Sequence, residues 1–189
     1  GQSYLSSTTL ASPEFSGAGE GIYTVRVTVS DAIGCSGSGE GTVTVYPLPT
    51  ASLTAVPAEV CAGETSEITA TVNPTAAGGT GTWSGTGVSK TDETTAEITT
   101  TTAGSATITY SFTSAEGCTM ASPATTSVTV HPIPDAPTAD DHTYCVGSSP
   151  SALTATGESG ATFHWYDALT GGTEYGSVPS ISTASSGEW

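Results

Sequence analysis

Residues that could act as nucleophiles or metal ligands are few in this sequence: four cysteines and three histidines. His131, His142 and His164 are scattered over a predicted linker, loop and strand. No pair has the His-x₃-His or Cys-x₂-Cys spacing of a zinc site. Serine is abundant, but no G-x-S-x-G motif lies on a strand-to-helix turn, as a hydrolase nucleophile would require. The sequence therefore predicts a non-catalytic protein with no metal and no cofactor.

Two acidic pairs are the best candidates for an oxygen-rich cation site. They are Asp92-Glu93, in a predicted loop, and Asp140-Asp141, shortly before a cysteine. Ca²⁺ takes six to eight oxygen ligands, which such loops can supply together with backbone carbonyls. However, the chain has no EF-hand pattern, and a solvated acidic turn explains both pairs equally well. Calcium stays an open alternative.

Four aromatic residues could form a platform for sugar rings: Trp83, Trp165, Tyr166 and Tyr175. Such a platform would make the chain a carbohydrate-binding accessory module of a secreted polysaccharide-degrading enzyme. The favoured interpretation places Trp83 and Trp165 in hydrophobic cores, because they occupy equivalent positions in two copies of a repeat.

The charge balance excludes some partners. The chain has 18 acidic and 2 basic side chains and a formal net charge of −16. Since Arg26 and Lys90 are the only strong cations, no basic patch can neutralise phosphates, and we expect no nucleic-acid binding. No apolar run reaches the length of a membrane span, so no membrane insertion is expected. The first residues, GQSYLSSTTL, do not resemble a signal peptide.

An internal repeat of about 83 residues organises the chain. The segment from Gly21 to Cys35 has a counterpart from Gly104 to Cys118, 83 residues later. Self-similarity of this kind is typical of modular arrays. Further landmarks recur at nearly the same distance: Y-P-L-P at 46–49 with H-P-I-P at 131–134, Val60-Cys61 with Tyr144-Cys145, and Trp83 with Trp165. Two positions recur twice at this offset, Phe15 as Ile98 and Ile181, and Gly21 as Gly104 and Gly187.

The alternation of apolar and polar residues predicts an all-β fold. Short runs rich in Thr and Val alternate with period two and are bounded by Gly, Pro and Ser, as half-buried antiparallel strands are. The middle repeat predicts strands near 51–56, 67–72, 81–84, 97–100, 106–113 and 126–131. We therefore expect tandem Ig-like β-sandwiches in an extended array. Residues 1–46 are the end of one repeat, 47–131 a complete one, and 132–189 the beginning of a third.

Disulfide bonds are expected to stabilise these sandwiches, because their hydrophobic cores contain few large side chains. Cys61 precedes the second strand of the complete repeat, and Cys118 follows its long penultimate strand. Both should lie near one end of the sandwich, so we expect a Cys61–Cys118 disulfide that adds about 4 kcal/mol of stability. Cys35 and Cys145, their equivalents in the other repeats, are then expected to pair outside this chain. Such disulfides indicate an exported protein.

Two groups of motifs resemble known bacterial families. P-x-P at 132–134, Y-C-V-G at 144–147, L-T-A-T at 153–156 and W-Y-D…G-G-T at 165–173 resemble an Ig-like domain of large Bacteroidota surface and secreted proteins. Gly21 to Cys35 looks like the end of PKD-like or gliding-adhesin repeats. In the middle repeat, W-S-G at 83–85 departs from the W-Y-D motif. The resemblance implies tandem modules in cell-surface adhesins, often type IX secretion cargo, and implies no catalytic residue.

Three functional hypotheses follow. The leading one is a structural or adhesive stalk of an exported cell-surface protein, whose partners are neighbouring repeats and possible surface glycans or other surface proteins. The second is the carbohydrate-binding module. The third is head-to-tail assembly, in which the last half-repeat of one chain completes the first half-repeat of another. Residues 15–23 and 181–189 occupy the same repeat positions, so that union would contain a duplicated strand.

Overall fold

The computed structural model describes residues 4–75, 77–149 and 151–175. Every regular element in this part of the chain is a β-strand, which confirms the all-β fold class. The chain divides into two compact units, Gly1–Pro132 and Ile133–Trp189. The predicted equivalences of Ile181 and Gly187 lie outside the described residues.

A long antiparallel hairpin is the first regular feature. Strands β1 (Gly21–Ser30) and β2 (Ser36–Val45) pair from Gly21↔Val45 to Ser30↔Ser36. The Asp31 carboxylate closes the turn by accepting hydrogen bonds from the backbone amides of Ile33 and Cys35, as expected of an Asp-initiated turn. A single bridge, Leu5↔Phe15, precedes the hairpin.

The next eight strands form a two-layer β-sandwich, which confirms the predicted Ig-like type. They are β3 (Thr50–Val56), β4 (Glu59–Cys61), β5 (Thr65–Asn73), β6 (Thr80–Ser84), β7 (Val88–Lys90), β8 (Thr95–Thr99), β9 (Gly104–Thr113) and β10 (Ala124–His131). One sheet has the order β3-β5-β8-β7, and the other β4-β10-β9-β6. All pairs are antiparallel except β4 with β10. Each of the six predicted strands is present. The additional strands, β4 and β7, have three residues each, too few to show alternation in the sequence.

The sandwich core is formed by the inward positions of both sheets. The alternating burial along β5 and β9 is what a sheet with one solvated face requires. The largest fully buried side chains are Tyr110 and Phe112. The aliphatic part of the core consists of Val60, Ile68, Ile98, Ile108, Val128 and Val130.

The second unit contains two short strand pairs. Strands β11 (Thr138–Ala139) and β12 (Ala155–Thr156) are antiparallel, with Thr138 opposite Thr156. Strands β13 (Trp165–Tyr166) and β14 (Glu174–Tyr175) are also antiparallel, with Trp165 opposite Tyr175.

Candidate functional site

The predicted Cys61–Cys118 disulfide is wrong in this structure, because the two cysteines lie at opposite ends of the sandwich. No two of the four cysteines are bonded to each other. Cys61 pairs with His131 at the end of β10, next to Val130, which lies opposite Gly104 at the start of β9. Cys118 follows the other end of β9. Ten residues at about 3.4 Å each separate the two ends by roughly 30 Å, whereas a disulfide needs a Cα–Cα distance of about 4.4–6.8 Å.

The disulfide prediction failed because the sequence alone does not show in which directions β5 and β9 run. Strand β5 begins at Thr65, opposite Thr99 at the end of β8, and β9 begins a few residues later at Gly104. Both strands therefore start at the same end of the sandwich, so a residue before β5 and a residue after β9 cannot meet. The expected pairing of Cys35 and Cys145 outside this chain depends on the same scheme and stays a prediction.

Two of the three histidines, His131 and His164, each pair with a single carboxylate. The side chains of His131 and Glu59 are 3.0 Å apart and well exposed. His164 pairs with Glu174 on the surface of the second unit. Among the described residues, no three His, Cys, Asp or Glu side chains are grouped so as to hold a metal ion.

The acidic pair Asp92-Glu93 has a structural role in the loop between β7 and β8. Asp92 Oδ1 accepts hydrogen bonds from the amides of Thr94 and Thr95. These hydrogen bonds lower the pKa of Asp92. Asp92 therefore accepts the backbone hydrogen bonds that fix the turn between β7 and β8. At the other acidic pair, Asp140 Oδ2 accepts a hydrogen bond from the Thr154 hydroxyl.

Glu93 is the centre of a polar clamp that ties the free edges of the two sheets together. Lys90, on β7 of one sheet, donates to Glu93 Oε1 at 2.7 Å and to the Gly81 carbonyl at 3.0 Å, on β6 of the other sheet. The Gly81 amide donates to the second oxygen of Glu93. The pKa of Glu93 is lowered, first by the hydrogen bond from Lys90 and then by the one from Gly81. We refer to Gly81, Lys90 and Glu93 as the edge clamp.

Two aromatic residues, Tyr110 and Trp83, lie next to the edge clamp. The Tyr110 hydroxyl donates to the Glu93 carbonyl at 2.8 Å. Burial raises the pKa of Tyr110 to about 12, and the charges of Glu93 and Asp92 add to this effect. The ring of Trp83 packs against Tyr110 with centroids 4.4 Å apart, and Trp83 Nε1 is buried with no partner among the described residues. The only signal for this cluster in the sequence is the single lysine three residues before a glutamate.

Of the four proposed platform aromatics, Trp83 belongs to the first unit, and Trp165, Tyr166 and Tyr175 to the second. Trp83 packs against the sandwich core, which agrees with the core interpretation. In the second unit Trp165 is half-buried, and Tyr166 is 56 % exposed. The side chain of Tyr175 lies outside the described part of the chain.

A shallow groove at the β9 start of the sandwich has a volume of about 380 Å³. Its lining consists of small residues without charge or aromatic rings: Gly85, Thr86, Thr100, Thr102, Ala103, Gly104, Ser105, Ala106 and Thr107. Such a surface offers hydroxyl and backbone hydrogen bonds, but neither a general base nor a stacking partner.

The hairpin exposes an apolar face. Val25, Val27 and Val29 of β1 project to one side, and the last two are each 70 % exposed. They lie opposite Gly41, Gly39 and Gly37 of β2. We call these six residues the valine face. The sequence does not indicate that this face is exposed. Alternation shows which side of a strand is apolar, but not whether a second sheet covers that side.

Comparison with known protein families gives one match to part of the chain. A family described as "Ig-like domain CHU_C associated" matches residues 134–187. This region lies within the predicted third repeat, which contains the W-Y-D motif, and the match supports its Ig-like character. No curated protein matches the chain.

Within the described residues there is no helix long and apolar enough to cross a membrane.

Proposed function

We propose that the chain is a non-catalytic structural segment, a stalk of tandem Ig-like repeats, in a large exported bacterial surface protein. The tandem arrangement would be 1–46, 47–131 and 132–189, with neighbouring repeats of the same polypeptide as its first partners. Extracellular display, adhesion and type IX export belong to this proposal and are supported by the resemblance to Bacteroidota surface proteins.

The observation that carries the proposal is the recurrence of the same backbone geometry at the repeat distance. In the β1–β2 turn, the Asp31 amide donates to the Cys35 carbonyl at 2.9 Å. In the β9–β10 connection, the Ser114 amide donates to the Cys118 carbonyl at 2.8 Å. Identical turns on strands that start 83 residues apart are expected if one module is repeated.

The acidic charge fits a surface stalk. Spread carboxylates keep a chain soluble and discourage sheet edges from pairing with other chains. The Lys90 ammonium is bound within the edge clamp, so the sandwich surface is left strongly acidic without a dedicated cationic partner.

Surface labelling tests the location. Antibodies against the chain should label intact cells of the source organism to the same extent before and after permeabilisation. An antibody against a cytoplasmic protein is the control and should label permeabilised cells only. Labelling of the chain that requires permeabilisation would contradict the proposal.

A retention assay separates the stalk from a carbohydrate-binding module. A stalk should pass insoluble polysaccharides without retention. Trp83 packs against the core and cannot be a platform residue, so Trp165 and Tyr166 are the residues to test. Retention that Trp165→Ala abolishes, and that substitution of the fully exposed Leu169 by alanine preserves, would favour the carbohydrate-binding module instead.

A further inference from the structure

Strand β9 is longer than its neighbour β6, which leaves one side of its first half without a strand. Strand β6 pairs with residues 109–113 of β9 and ends at Ser84. Residues 104–108 of β9 pair with β10 on their other side, and no described strand continues β6 next to them. The shallow groove of about 380 Å³ lies along this unpaired stretch.

The unpaired side of β9 presents backbone groups of Ser105 and Thr107. A Cβ on Gly85, which follows β6, would lie 2.6 Å from the Thr107 carbonyl oxygen, so this carbonyl points to the β6 side. On the β10 side, the Phe112 carbonyl accepts a hydrogen bond from the Met120 amide at 3.0 Å. Successive residues of a strand direct their backbone groups to opposite sides. The odd-numbered residues of β9 therefore face the groove. Within the described part of the chain, the Thr107 amide and both backbone groups of Ser105 have no partner there.

Along β6 the chain covers the edge of the same sheet with its own side chains. The Gly81 amide donates to Glu93, and the Gly81 carbonyl accepts from Lys90, so the edge clamp occupies outward groups of β6. Natural sheets protect their edges with charged side chains because an unpaired edge can pair with another strand. No charged residue lines the groove. The chain thus protects one part of this edge and leaves the part at Ser105 open.

The alternation along β9 defines the side chains that an added strand could have. Ser105 and Thr107 are exposed, whereas Ala106 between them is half-buried. In an antiparallel pair, residues directly opposite each other place their side chains on the same face of the sheet. An added residue opposite Ala106 would therefore point inward and has to be small and apolar. Its neighbours, opposite Ser105 and Thr107, would point into solvent and can be polar.

We propose that the groove binds an extended segment of a partner protein by β-strand addition, as a continuation of β6. The segment runs antiparallel to β9, as β6 does. Its residue opposite Ser105 exchanges two backbone hydrogen bonds with Ser105, and its residue opposite Thr107 accepts one from the Thr107 amide. The segment alternates hydroxyl and small apolar side chains. Lysine or arginine flanks it, because a chain of net charge −16 attracts basic segments and repels acidic ones. This inference goes beyond the stalk function and does not depend on export or on a surface location.

Titration of the full chain with a labelled, capped peptide K-T-V-T-V-T-K tests the proposal by fluorescence anisotropy. The peptide should bind, and the same peptide with glutamate in place of lysine should bind more weakly. N-methylation of the threonines should weaken binding by about tenfold or more, because it removes the N–H that donates to the Ser105 carbonyl. N-methylation of the valines, whose N–H groups face away from β9, is the matched control and should change binding by no more than about twofold.

Amide exchange measured by NMR locates the bound peptide. The amides of Ser105 and Thr107 should exchange more slowly with solvent when the peptide is bound. The Ala106 amide faces β10 and should not change. Ala103→Trp, which fills the groove, should abolish binding. Thr125→Trp, at an exposed position of β10 outside the groove, should bind like the wild type.

Three results would overturn the proposal. The first is a wild-type chain that does not bind the lysine-flanked peptide. The second is equal binding of the two methylated peptides, which would mean that backbone pairing with β9 is not involved. The third is protection of the Ser105 and Thr107 amides by cellohexaose but not by the peptide, which would make the groove a carbohydrate site. The methylated peptides are compared on the wild-type chain, so this test holds even if Ala103→Trp fails to fold.

Discussion

The hairpin and the sandwich each contain a ten-residue strand, β1 and β9, at equivalent positions of the predicted repeat, and the two strands lie in different environments. Strand β9 is buried along its inward side, whereas most of the corresponding side of β1 faces solvent. Alternation thus defines which side of a strand can be buried, and a second sheet determines whether it is. In a chain with so few large apolar residues, the stability of the described part is therefore concentrated in residues 50–131.

The largest effect is expected from shortening a core aromatic. Phe112→Ala should lower the free energy of unfolding by about 3–5 kcal/mol, because the cavity adds to the lost hydrophobic transfer. Val29→Ala, at the equivalent hairpin position, should change it by no more than about 0.5 kcal/mol. Urea unfolding measures both. Equal losses would mean that the hairpin also has a covered core.

Substituting one glycine in the sandwich and one in the hairpin tests the same difference in packing between the two regions. In Gly81→Ala the new methyl group would overlap the Glu93 carbonyl oxygen and approach the Tyr110 ring. We expect a loss of about 1–3 kcal/mol from overpacking. In Gly39→Ala the methyl group meets Val27 Cγ1 at 3.8 Å, an ordinary contact, so thermal unfolding should stay within experimental error of the wild type. A tolerated Gly81→Ala would show that the edge clamp moves easily.

The sequence predicts where the strands are better than it predicts their directions and the contacts between the two sheets. Period-two alternation identifies the six predicted strands of the sandwich because it is a local property. It does not reveal that β5 and β9 start at the same end of the sandwich, so the Cys61–Cys118 pairing was predicted wrongly. The edge clamp is equally hidden, because Gly81 and Lys90 come together only when two sheets pack.

Removing one hydroxyl from the sandwich should have a moderate effect. Tyr110→Phe loses the hydrogen bond to the Glu93 carbonyl, which costs about 1 kcal/mol. The folded-state pKa of Tyr110, about 12, exceeds the unfolded value of about 10. The neutral phenol therefore stabilises the fold below pH 10, and this contribution disappears as the pH rises through 12.

Alkaline unfolding curves should show the difference. Between pH 10 and 12 the stability of Tyr110→Phe should fall less steeply than that of the wild type. Tyr23→Phe is the matched control, since its hydroxyl also donates to a carbonyl, that of Gly19 at 3.0 Å, but from a half-buried ring in the hairpin segment. Parallel curves for the wild type and Tyr110→Phe would contradict the assignment.

The contribution of Lys90 to stability can be tested at acidic pH, where a smaller effect is expected, with Arg26 as the control. Lys90 holds the pKa of Glu93 below its ordinary value, so the ionised carboxylate stabilises the fold above the unfolded pKa of about 4.3. This contribution is lost as the pH falls through the folded value. Lys90→Met should be less stable than the wild type at pH 7, and the difference should shrink below pH 4.

Arg26→Met is the control for Lys90→Met. Among the described residues, the Arg26 guanidinium donates only to the hydroxyl of Ser38, at 3.3 Å on the exposed hairpin. Its removal should therefore leave the stability unchanged at either pH. A constant difference between Lys90→Met and the wild type from pH 7 to pH 3 would mean that Lys90 acts through packing rather than through its charge.

The smallest effect is expected at the cysteines. Because Cys61 and Cys118 lie at opposite ends of β9, a reducing agent should not shift the unfolding midpoint of the chain. Cys61→Ser and Cys118→Ser should have small, additive effects, as residues without shared contacts do. A native disulfide of this loop length would instead cost about 4 kcal/mol on reduction. Such a loss, with a Cys61–Cys118 peptide found by non-reducing mass spectrometry, would require a different strand arrangement from the one described.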